Sequence, residues 1–367
     1  MSTEAVKPQA LRRPPGGGRV TLEHLAAATG LARTTISDIM NRNVGTKYSA
    51  ETRDRVMKAV NELGYLPVRA AQQLARGRSG QIGLMLTRDF SNPFFARVAD
   101  VVEREVRKLG YRLQMTVTDG EEGSEAERLR QLQSDAVEGL IIGPVYEKLD
   151  LDMHANLLKG SLPTVLFGGS IGSVFDEVAI HDAIGWRLAI QHLTERGHRN
   201  IAFLSAPPSR LTADNVNERF SALLELRVAG VFHAEWIFWQ HDTGRFEDSL
   251  AVSREFSQRW LQAPADDRPT AVICHNDQVA LTALSAFHEA GIRVPNDLSL
   301  IGCDNLPESA YLVPSLTSID NHVDEQMRQA VNRLMARIES PGADRATIVV
   351  QPSLVTRGSV ISVHREP

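Results

Sequence analysis

From residue 81 onward, short apolar runs alternate with stretches of helical periodicity. Eight of these runs have the length of a buried strand: residues 82–87, 112–118, 139–145, 164–167, 200–205, 236–239, 270–274 and 298–303. Continuous apolar strands separated by helices predict parallel β-sheets that are covered on both faces. About 280 residues of this pattern exceed what one hydrophobic core accommodates, so we expect two lobes.

The charges of the chain are unevenly distributed. Residues 1–80 contain 13 Lys and Arg against 6 Asp and Glu, a balance of +7. The whole chain has 40 against 45, which leaves 27 against 39, or −12, for the remainder. A basic N-terminal segment on an acidic body indicates that only this segment meets a polyanion. A solvated charged tail is the alternative explanation of the asymmetry alone.

Composition excludes several classes of protein. With 367 residues, 43% hydrophobic and 23% charged, the chain has an ordinary globular composition and room for two or three domains. The longest uncharged stretch, residues 160–175, is interrupted by Pro163 and by Gly and Ser, so we expect no membrane span. No export signal is apparent in residues 1–20, and the two cysteines lie in apolar runs, so we expect a reducing, cytoplasmic location at the nucleoid.

Three short helices are predicted within residues 20–67. Thr21 is placed to cap a first helix, and Gly30 supplies the left-handed backbone for a tight turn after it. A second helix over residues 32–41 has Ile36, Ile39 and Met40 on one face and polar residues on the other. A third helix opens at residue 49 and ends at Gly64. The pattern predicts a helix-turn-helix module, whose second helix enters the major groove of DNA, with a plain three-helix bundle as the alternative.

A fourth helical segment, residues 69–76, follows this module. It is too short to be stable alone in water, so it gains order by docking on another surface. Leu74 is suited to insert between base steps of the minor groove and so to kink the duplex. Otherwise the segment is an interdomain linker.

Unusual polar and aromatic residues follow the predicted strands of the body. They are Asp89, Asn92, Phe94, Phe95, Asp119, Asn276, Asp277, Asp304 and Asn305. Ligands of open parallel sheets bind beyond the carboxyl ends of the strands, where short polar side chains and aromatic faces can hold a small molecule. Any single Asp or Asn there could instead cap the next helix. The convergence of the whole set favours a ligand site.

The N-terminal motifs resemble the DNA-binding headpiece and hinge of the lactose-repressor family of bacterial regulators. They are Thr21-Leu22, Gly30-Leu31, Thr35-Ile36-Ser37, Asn41, Ser49, Thr52-Arg53, Val56, the run 63–67 and the run 71–75. The resemblance implies base readers at Arg33, Thr34 and Asp38, and a minor-groove wedge at Leu74. It also implies phosphate contacts from Thr21, Thr35, Ser37, Asn41, Ser49 and Thr52.

Four positions depart from the family's pattern: Thr29, Ala32, Asp38 and Val68. Arginine is frequent where Asp38 stands. Arg33 could bind a guanine edge, and Asp38 could accept a hydrogen bond from cytosine. Asp38 could equally pair with a neighbouring arginine, so the operator sequence stays open.

The body resembles the effector domain of the same family, which has the two-lobed fold of periplasmic sugar-binding proteins. The resemblance is carried by residues 192–193, 197–202, 276–277, 291–304 and 314–319 together with Arg219. It implies effector contacts from Arg219, Asn276 and Asp304, with Phe94 and Phe95 at the pocket entrance. Two sites depart from the pattern, His181-Asp182 and Gly168-Gly169. An aspartate often stands where Gly168-Gly169 is found, and its absence weakens the prediction that the effector is a simple sugar.

Catalytic and metal sites are weakly indicated. Residues 168–172 match a Gly-x-Ser-x-Gly nucleophile elbow, but Ser170 leads into further glycine and apolar residues instead of a helix. His181-Asp182 and His241-Asp242 lack the partners that would complete a metal site. We therefore expect neither an enzyme nor a cofactor.

The sequence predicts a small all-α helix-turn-helix headpiece joined to an α/β, two-lobed effector domain like the periplasmic binding proteins. We expect a flexible tail at 1–19, a DNA-binding domain at 20–67, a hinge at 68–80 and an effector-binding and dimerisation domain at 81–360. Such a protein would act as a transcription regulator that binds double-stranded operator DNA as a homodimer. Of the two kinds of regulator, we favour a repressor. A small-molecule effector would control it. A solute-binding protein for transport is the alternative, but residues 20–76 would then have no role.

Overall fold

The computed structural model describes residues 20–40, 47–65, 78–86, 92–118, 124–145, 162–168, 174–205, 232–239 and 246–363. The chain divides into two compact units, Met1–Ser79 and Gly80–Pro367, which we call the head and the body. Up to position 77, the predicted hinge lies outside the described residues.

The head contains the three predicted helices, α1 (Leu22–Thr29), α2 (Arg33–Met40) and α3 (Ala50–Leu63). Gly30 ends α1 in the left-handed conformation, with φ of 69°, and its N–H donates to Ala26 O. A side chain at this position would be strained, so glycine sets the abrupt turn that separates α1 from α2. The side chain of Ser49 accepts from the N–H of Thr52 and so caps α3.

One residue from each helix forms the centre of the head's core. Leu25, Ile36 and Val56 are completely buried, and each belongs to a different helix. The core is small, and it holds α2 with its polar face outward. A helix of eight residues would be marginal alone, so its stability comes from this packing.

In the described part of the body, twelve strands form two six-stranded sheets. The strands are β1 (Gln81–Leu86), β2 (Arg112–Val117), β3 (Gly139–Val145), β4 (Thr164–Gly168), β5 (Asp176–Ile180), β6 (Ile201–Ser205), β7 (Phe232–Trp239), β8 (Ala271–Cys274), β9 (Ser299–Cys303), β10 (Thr317–Asp320), β11 (Thr347–Val350) and β12 (Ser353–Val355). The first sheet has the order β11-β5-β4-β3-β1-β2, and the second has the order β12-β10-β9-β8-β6-β7. All neighbours pair in parallel except β10 and β12. The prediction of parallel sheets in two lobes is confirmed.

Helices pack on both sheets. They are α4 (Pro93–Lys108), α5 (Ser124–Ser134), α6 (Asp182–Glu195), α7 (Phe246–Gln262), α8 (Asp277–Glu289) and α9 (Val323–Glu339), and two short 3-10 helices lie at Ala265–Asp267 and Pro307–Ala310. In the first lobe, α4 and α9 share a core with β1, β3, β4 and β5. In the second lobe, α6 packs on one face of the sheet, and α7 and α8 pack in a separate core cluster.

Among the described elements, the chain passes between the lobes at three places. The crossings are at residue 181 between β5 and α6, at residues 321–322 between β10 and α9, and at residues 351–352 between β11 and β12. The crossings pack against one another, because a Cβ on Gly185 of α6 would lie 2.7 Å from Ile319 of β10 and 3.4 Å from Pro352. Any change in the angle between the lobes must therefore be absorbed by these three segments.

The eight predicted strands are present, and most boundaries agree within one residue; β7 begins at Phe232, four residues before the prediction. Four strands escaped prediction: β5, β10, β11 and β12. In the part of the chain that the structure describes, no helix is both long and apolar enough to cross a membrane.

Candidate nucleic-acid interface and effector site

The outward face of α2 holds most of the predicted DNA contacts. Arg33 and Thr34 are exposed, while Thr35, Ser37 and Asp38 are half-buried beside the core residues of the same helix. Asn41 and Leu74 lie outside the described residues. The fold therefore presents the predicted base readers on one helix, with side chains of both charges among them.

Arg33 is held by a carboxylate from the preceding helix. Its Nη1 donates to Oε1 of Glu23 at 2.9 Å, and the two side chains are 63% and 73% exposed. An ion pair this exposed contributes less than about 1 kcal/mol. The guanidinium can thus leave Glu23 for a base or a phosphate at small cost.

Asp38 has different partners from those that the sequence suggested. The alternative of pairing with an arginine is wrong: its Oδ2 accepts from Lys47 Nζ at 3.0 Å and from the hydroxyl of Tyr48 at 2.9 Å. The hydrogen bond from Lys47, followed by that from Tyr48, lowers the pKa of Asp38. The side chain is therefore a carboxylate at neutral pH, and it can only accept hydrogen bonds.

Two groups of hydroxyls predicted to bind phosphate lie at helix N-termini. Thr21 precedes α1 and bonds to His24 Nδ1 through both its N–H, at 3.1 Å, and its hydroxyl, at 2.8 Å. Ser49 and Thr52 share a hydroxyl–hydroxyl bond of 2.8 Å at the start of α3. Helix N-termini attract anions because their N–H groups and dipoles point outward. These positions suit phosphate contacts, but the contacts themselves remain a prediction.

In the first lobe, the predicted effector contacts are largely structural. Asn92 caps α4 by accepting from the N–H of Phe94 at 2.9 Å. Phe94 and Phe95 are 7% and 5% exposed and form an edge-to-face pair with ring centroids 5.4 Å apart. Both rings belong to the core of the first lobe, so little of either is open to a ligand. Asp119 lies outside the described residues.

In the second lobe, Asn276 and Asp277 begin α8. Asn276 caps the helix by accepting from the N–H of Val279 at 2.9 Å. Asp277 is 3% exposed, and its two oxygens accept from the hydroxyls of Ser309 and Ser318 at 2.6 Å each and from the N–H of Leu306 at 2.8 Å. Burial raises the pKa of Asp277 to about 6. The bonds indicate a carboxylate that joins three segments of its own lobe.

The loop after β9 has a backbone that few residues adopt. Asp304 and Asn305 have φ of 101° and 45°. Positive φ in residues other than glycine is costly and often occurs at ligand sites and hinges. Asp304 donates its N–H to Ile319 O at 2.9 Å, which holds its main chain against β10. Arg219, the third implied effector contact, lies outside the described residues.

The two lobes meet through Arg97, which sequence reasoning missed. Arg97 lies on α4 of the first lobe, and its Nη1 donates to the main-chain oxygen of Asn305 in the second lobe at 3.1 Å. Its Nε donates to Asp324 at 2.9 Å. Asn305 is held in turn by Arg357 at 2.6 Å and by Asp320 at 2.9 Å. Arg97 therefore joins the helix after β1 to the loop after β9 across the boundary between the lobes. A ligand site formed by the polar residues at the strand ends stays a prediction.

Other candidate chemistry finds little support among the described residues. No cluster of three or more His, Cys, Asp or Glu there is arranged to hold a metal ion. Cys274 and Cys303 are buried in β8 and β9 and form no disulfide, in agreement with the prediction of buried strands. Ser170 and His241 lie outside the described residues.

Comparisons with known proteins agree with both units. Residues 21–68 match the family described as bacterial regulatory proteins, lacI family, and residues 190–360 match the periplasmic binding protein-like domain. The HTH-type transcriptional repressor PurR of Aliivibrio fischeri (strain MJ11) is 34% identical over 93% of this chain and 98% of its own. The ribose operon repressor of Haemophilus influenzae is 30% identical over 94% of this chain and 99% of its own.

A solved structure extends the likeness to the fold. The Lac repressor bound to ONPG in the repressed state aligns with a TM-score of 0.77 and 25% identity, over 93% of this chain and 100% of that one. The sequence likeness spans both units and nearly the full length of the relatives. The chain belongs to the lacI family of bacterial regulatory proteins.

Proposed function

We propose that this protein is a transcriptional repressor whose affinity for operator DNA is set by a small polar metabolite bound between the lobes of the body. The observation that carries the proposal is the presence, on one chain, of a helix-turn-helix head with a polar α2 and of a body whose lobes are joined by three crossings. The relatives are a transcriptional repressor and a ribose operon repressor, which supports the same function. The protein acts on the chromosome, in the cytoplasm, and carries out no catalytic step.

Two copies bind one operator. A single α2 can present only a few side chains to base edges, which is too little to select one site in a genome. A homodimer places two such helices on two half-sites about one helical turn apart, so we expect a pseudo-palindromic operator. Arg33, Thr34 and Asp38 contact base edges. Thr21, Thr35, Ser37, Asn41, Ser49 and Thr52 contact phosphates, and Leu74 inserts between base steps of the minor groove and kinks the duplex.

The effector acts on the angle between the lobes. Asp304 and Asn276 contact it from the second lobe, with Arg219 and Asp119 completing the site, while Asn92 and the edges of Phe94 and Phe95 close it from the first. Binding changes the relative stability of two lobe angles and, through the hinge, the spacing of the two heads. Such coupling is reciprocal, so the operator must change effector affinity by the same factor as the effector changes operator affinity.

The test has two stages. Genomic fragments are first selected on the purified full chain, and a library of sugars, nucleobases and other polar metabolites is screened by thermal shift, because a bound ligand stabilises the folded state. Operator affinity is then measured by fluorescence anisotropy with and without the ligand, and ligand affinity with and without saturating operator. Equal factors are expected. Absence of any preferred fragment, or a ligand affinity unaffected by operator while operator affinity changes, would contradict the proposal.

A pair of variants locates the effector. Asp304→Asn is expected to abolish the response to ligand while operator affinity stays within about twofold, because one acceptor of the site is lost. Asp297→Asn is the matched control, since Asp297 lies in the same lobe but is occupied by Arg293 at 2.6 Å. Loss of response in both variants would point to general damage to the lobe and not to a binding role.

A further inference from the structure

Helix α2, which enters the major groove under the proposed function, contains a carboxylate where a polyanion must approach. Asp38 lies on the same helix as the candidate base readers Arg33 and Thr34, and its side chain is 45% exposed. A bare carboxylate at this position would be repelled by the phosphates that flank the groove. Its charge must therefore be compensated by the protein if α2 enters the groove.

Lys47 and Tyr48 provide that compensation from outside the helix. They precede α3 and both donate to the same oxygen of Asp38, Oδ2, at 3.0 and 2.9 Å. The ammonium of Lys47 also lies 5.3 Å from the centre of the Tyr48 ring, a distance at which the ring attracts a cation. Three side chains from two segments thus form one cluster, which we call the Asp38 unit.

The cluster fixes which oxygen remains for DNA. Both donors that the described residues supply use Oδ2, and none of them donates to Oδ1. Two donors on one oxygen restrict the rotation of the carboxylate. Since Asp38 stays ionised at neutral pH, Oδ1 can only accept a hydrogen bond. In the major groove, the base edges that donate are the amino groups of cytosine and adenine.

We propose that the Asp38 unit is a single base reader, in which Asp38 accepts a hydrogen bond from the N4 amino group of cytosine while Lys47 and Tyr48 position and neutralise it. Cytosine fits better than adenine, because adenine presents an acceptor, N7, beside its amino group and this acceptor would face a carboxylate. Lys47 and Tyr48 are positioning residues here, and they determine sequence preference rather than overall affinity. The inference rests on the proposed function, since it requires α2 to lie in the major groove.

Lys47 has one simpler role that must be distinguished, namely direct contact with a phosphate. A phosphate contact strengthens binding to all sequences and adds about 0.9 to the slope of log affinity against log salt concentration. A positioning role leaves that slope nearly unchanged, because the ammonium is already neutralised by Asp38 and releases no counterion. Loss of a positioning residue changes the base preference at one base pair only.

The experiment compares variants on a set of duplexes. The preferred site of the wild-type full chain is first obtained by selection from a random DNA pool. Each half-site base pair is then substituted in turn, and affinities are measured by fluorescence anisotropy at several salt concentrations. The variants are Asp38→Ala, Asp38→Asn, Lys47→Met and Tyr48→Phe. Lys58→Met is the matched control, because Lys58 is another exposed lysine of the head, and its Nζ lies 3.9 Å from Glu62 one turn further along α3.

One position of each half-site is expected to respond. The wild-type protein prefers cytosine there by about five- to a hundredfold, the range for one good base contact. Asp38→Ala removes this preference, and Asp38→Asn moves it to adenine, which matches the paired donor and acceptor of an amide. Lys47→Met lowers the preference at least threefold, Tyr48→Phe lowers it less, and all other positions keep theirs. Lys58→Met changes no preference.

Three results would overturn the inference or its basis. If Lys47→Met weakens all duplexes equally and reduces the salt slope by about one, Lys47 is a phosphate contact. If Asp38→Ala leaves every preference unchanged, Asp38 reads no base. Both results leave the proposed function intact, whereas a wild-type protein that selects no site from the pool contradicts the proposed function itself. Circular dichroism melting of each variant checks that the head is folded.

Discussion

The buried carboxylate of Asp277 gives the sharpest test of the second lobe. It accepts three hydrogen bonds, from Ser309, Ser318 and the N–H of Leu306, and it lies against Gly302, where an added Cβ would be 2.1 Å from its Oδ1. Asp277→Asn keeps the shape and retains one acceptor. The hydroxyl of Ser318 can rotate to accept from the new amide, so we expect the variant to fold.

The magnitude follows from the pKa of Asp277. Burial raises it from 3.8 to about 6, and each unit corresponds to about 1.4 kcal/mol, which gives about 3 kcal/mol. Because the folded state holds this proton more tightly than the unfolded state, ionisation of the unfolded state destabilises the wild-type protein as the pH rises from 3.8 to 6. Over pH 4.5 to 7.5, the unfolding free energy of the wild type should fall by about 2 kcal/mol relative to Asp277→Asn.

Tryptophan fluorescence during urea unfolding measures this difference. All four tryptophans belong to the body: Trp186, Trp236, Trp239 and Trp260. The signal therefore reports unfolding of the body without interference from the head. Asp297→Asn is the control of opposite sign, because hydrogen bonds from Arg293 lower the pKa of Asp297 and its contribution is lost as the pH falls. A difference between wild type and Asp277→Asn that is independent of pH would mean that Asp277 has the same pKa in the folded and unfolded states, and it would refute the raised pKa.

Three further predictions concern the head and the boundary between the lobes. Glu23→Gln should strengthen binding to all duplexes and steepen its salt dependence, because the carboxylate no longer repels the phosphates or neutralises Arg33; anisotropy at several salt concentrations measures this, and unchanged affinity would contradict it. Ile36→Ala should destabilise the head by about 2–5 kcal/mol and abolish operator binding, while the tryptophan-monitored unfolding of the body stays the same. Arg97→Ala should change the coupling between effector and operator by about tenfold or more through loss of its bond to Asn305, which calorimetric titration with and without operator would detect; equal coupling in both proteins would remove Arg97 from the mechanism.

The strands that the sequence predicted are those whose burial comes from their own apolar residues. β5 was missed because it begins with Asp176 and Glu177, whose charges argue against a buried strand. The structure buries Asp176 because Arg333 and Arg337 of α9 bind its carboxylate at 2.7 to 3.0 Å. Burial alone would raise the pKa of Asp176, but these bonds and one from the N–H of Ala346 lower it. A strand stabilised by partners more than 150 residues away leaves no local signal.

In the candidate site, too, features set by local sequence were predictable, whereas features set by distant partners were not. Gly30 predicted the turn between α1 and α2, since only the backbone conformation at one residue is involved. The pairing of Asp38 with Lys47 could not be predicted, because it depends on how the segment before α3 approaches α2. At strand ends, the residue types were informative but ambiguous. Asn276 caps α8, as the simpler interpretation expected, and its side chain would need to exchange that bond or use its free amide to hold a ligand.

The bond between Arg97 and Asn305 indicates how finely the two lobe angles are balanced. A hydrogen bond from a charged donor contributes about 1.5–3 kcal/mol to stability, and coupling energies in allosteric proteins are typically about 1–3 kcal/mol. A single bond across the boundary therefore has the magnitude of the whole expected response. A ligand shifts the equilibrium only by its differential affinity for the two angles, so an effector need gain only about one extra charged contact in one of them. The three crossings need only allow one lobe to rotate relative to the other. The free energy that favours one angle comes from the ligand and from contacts such as the bond between Arg97 and Asn305.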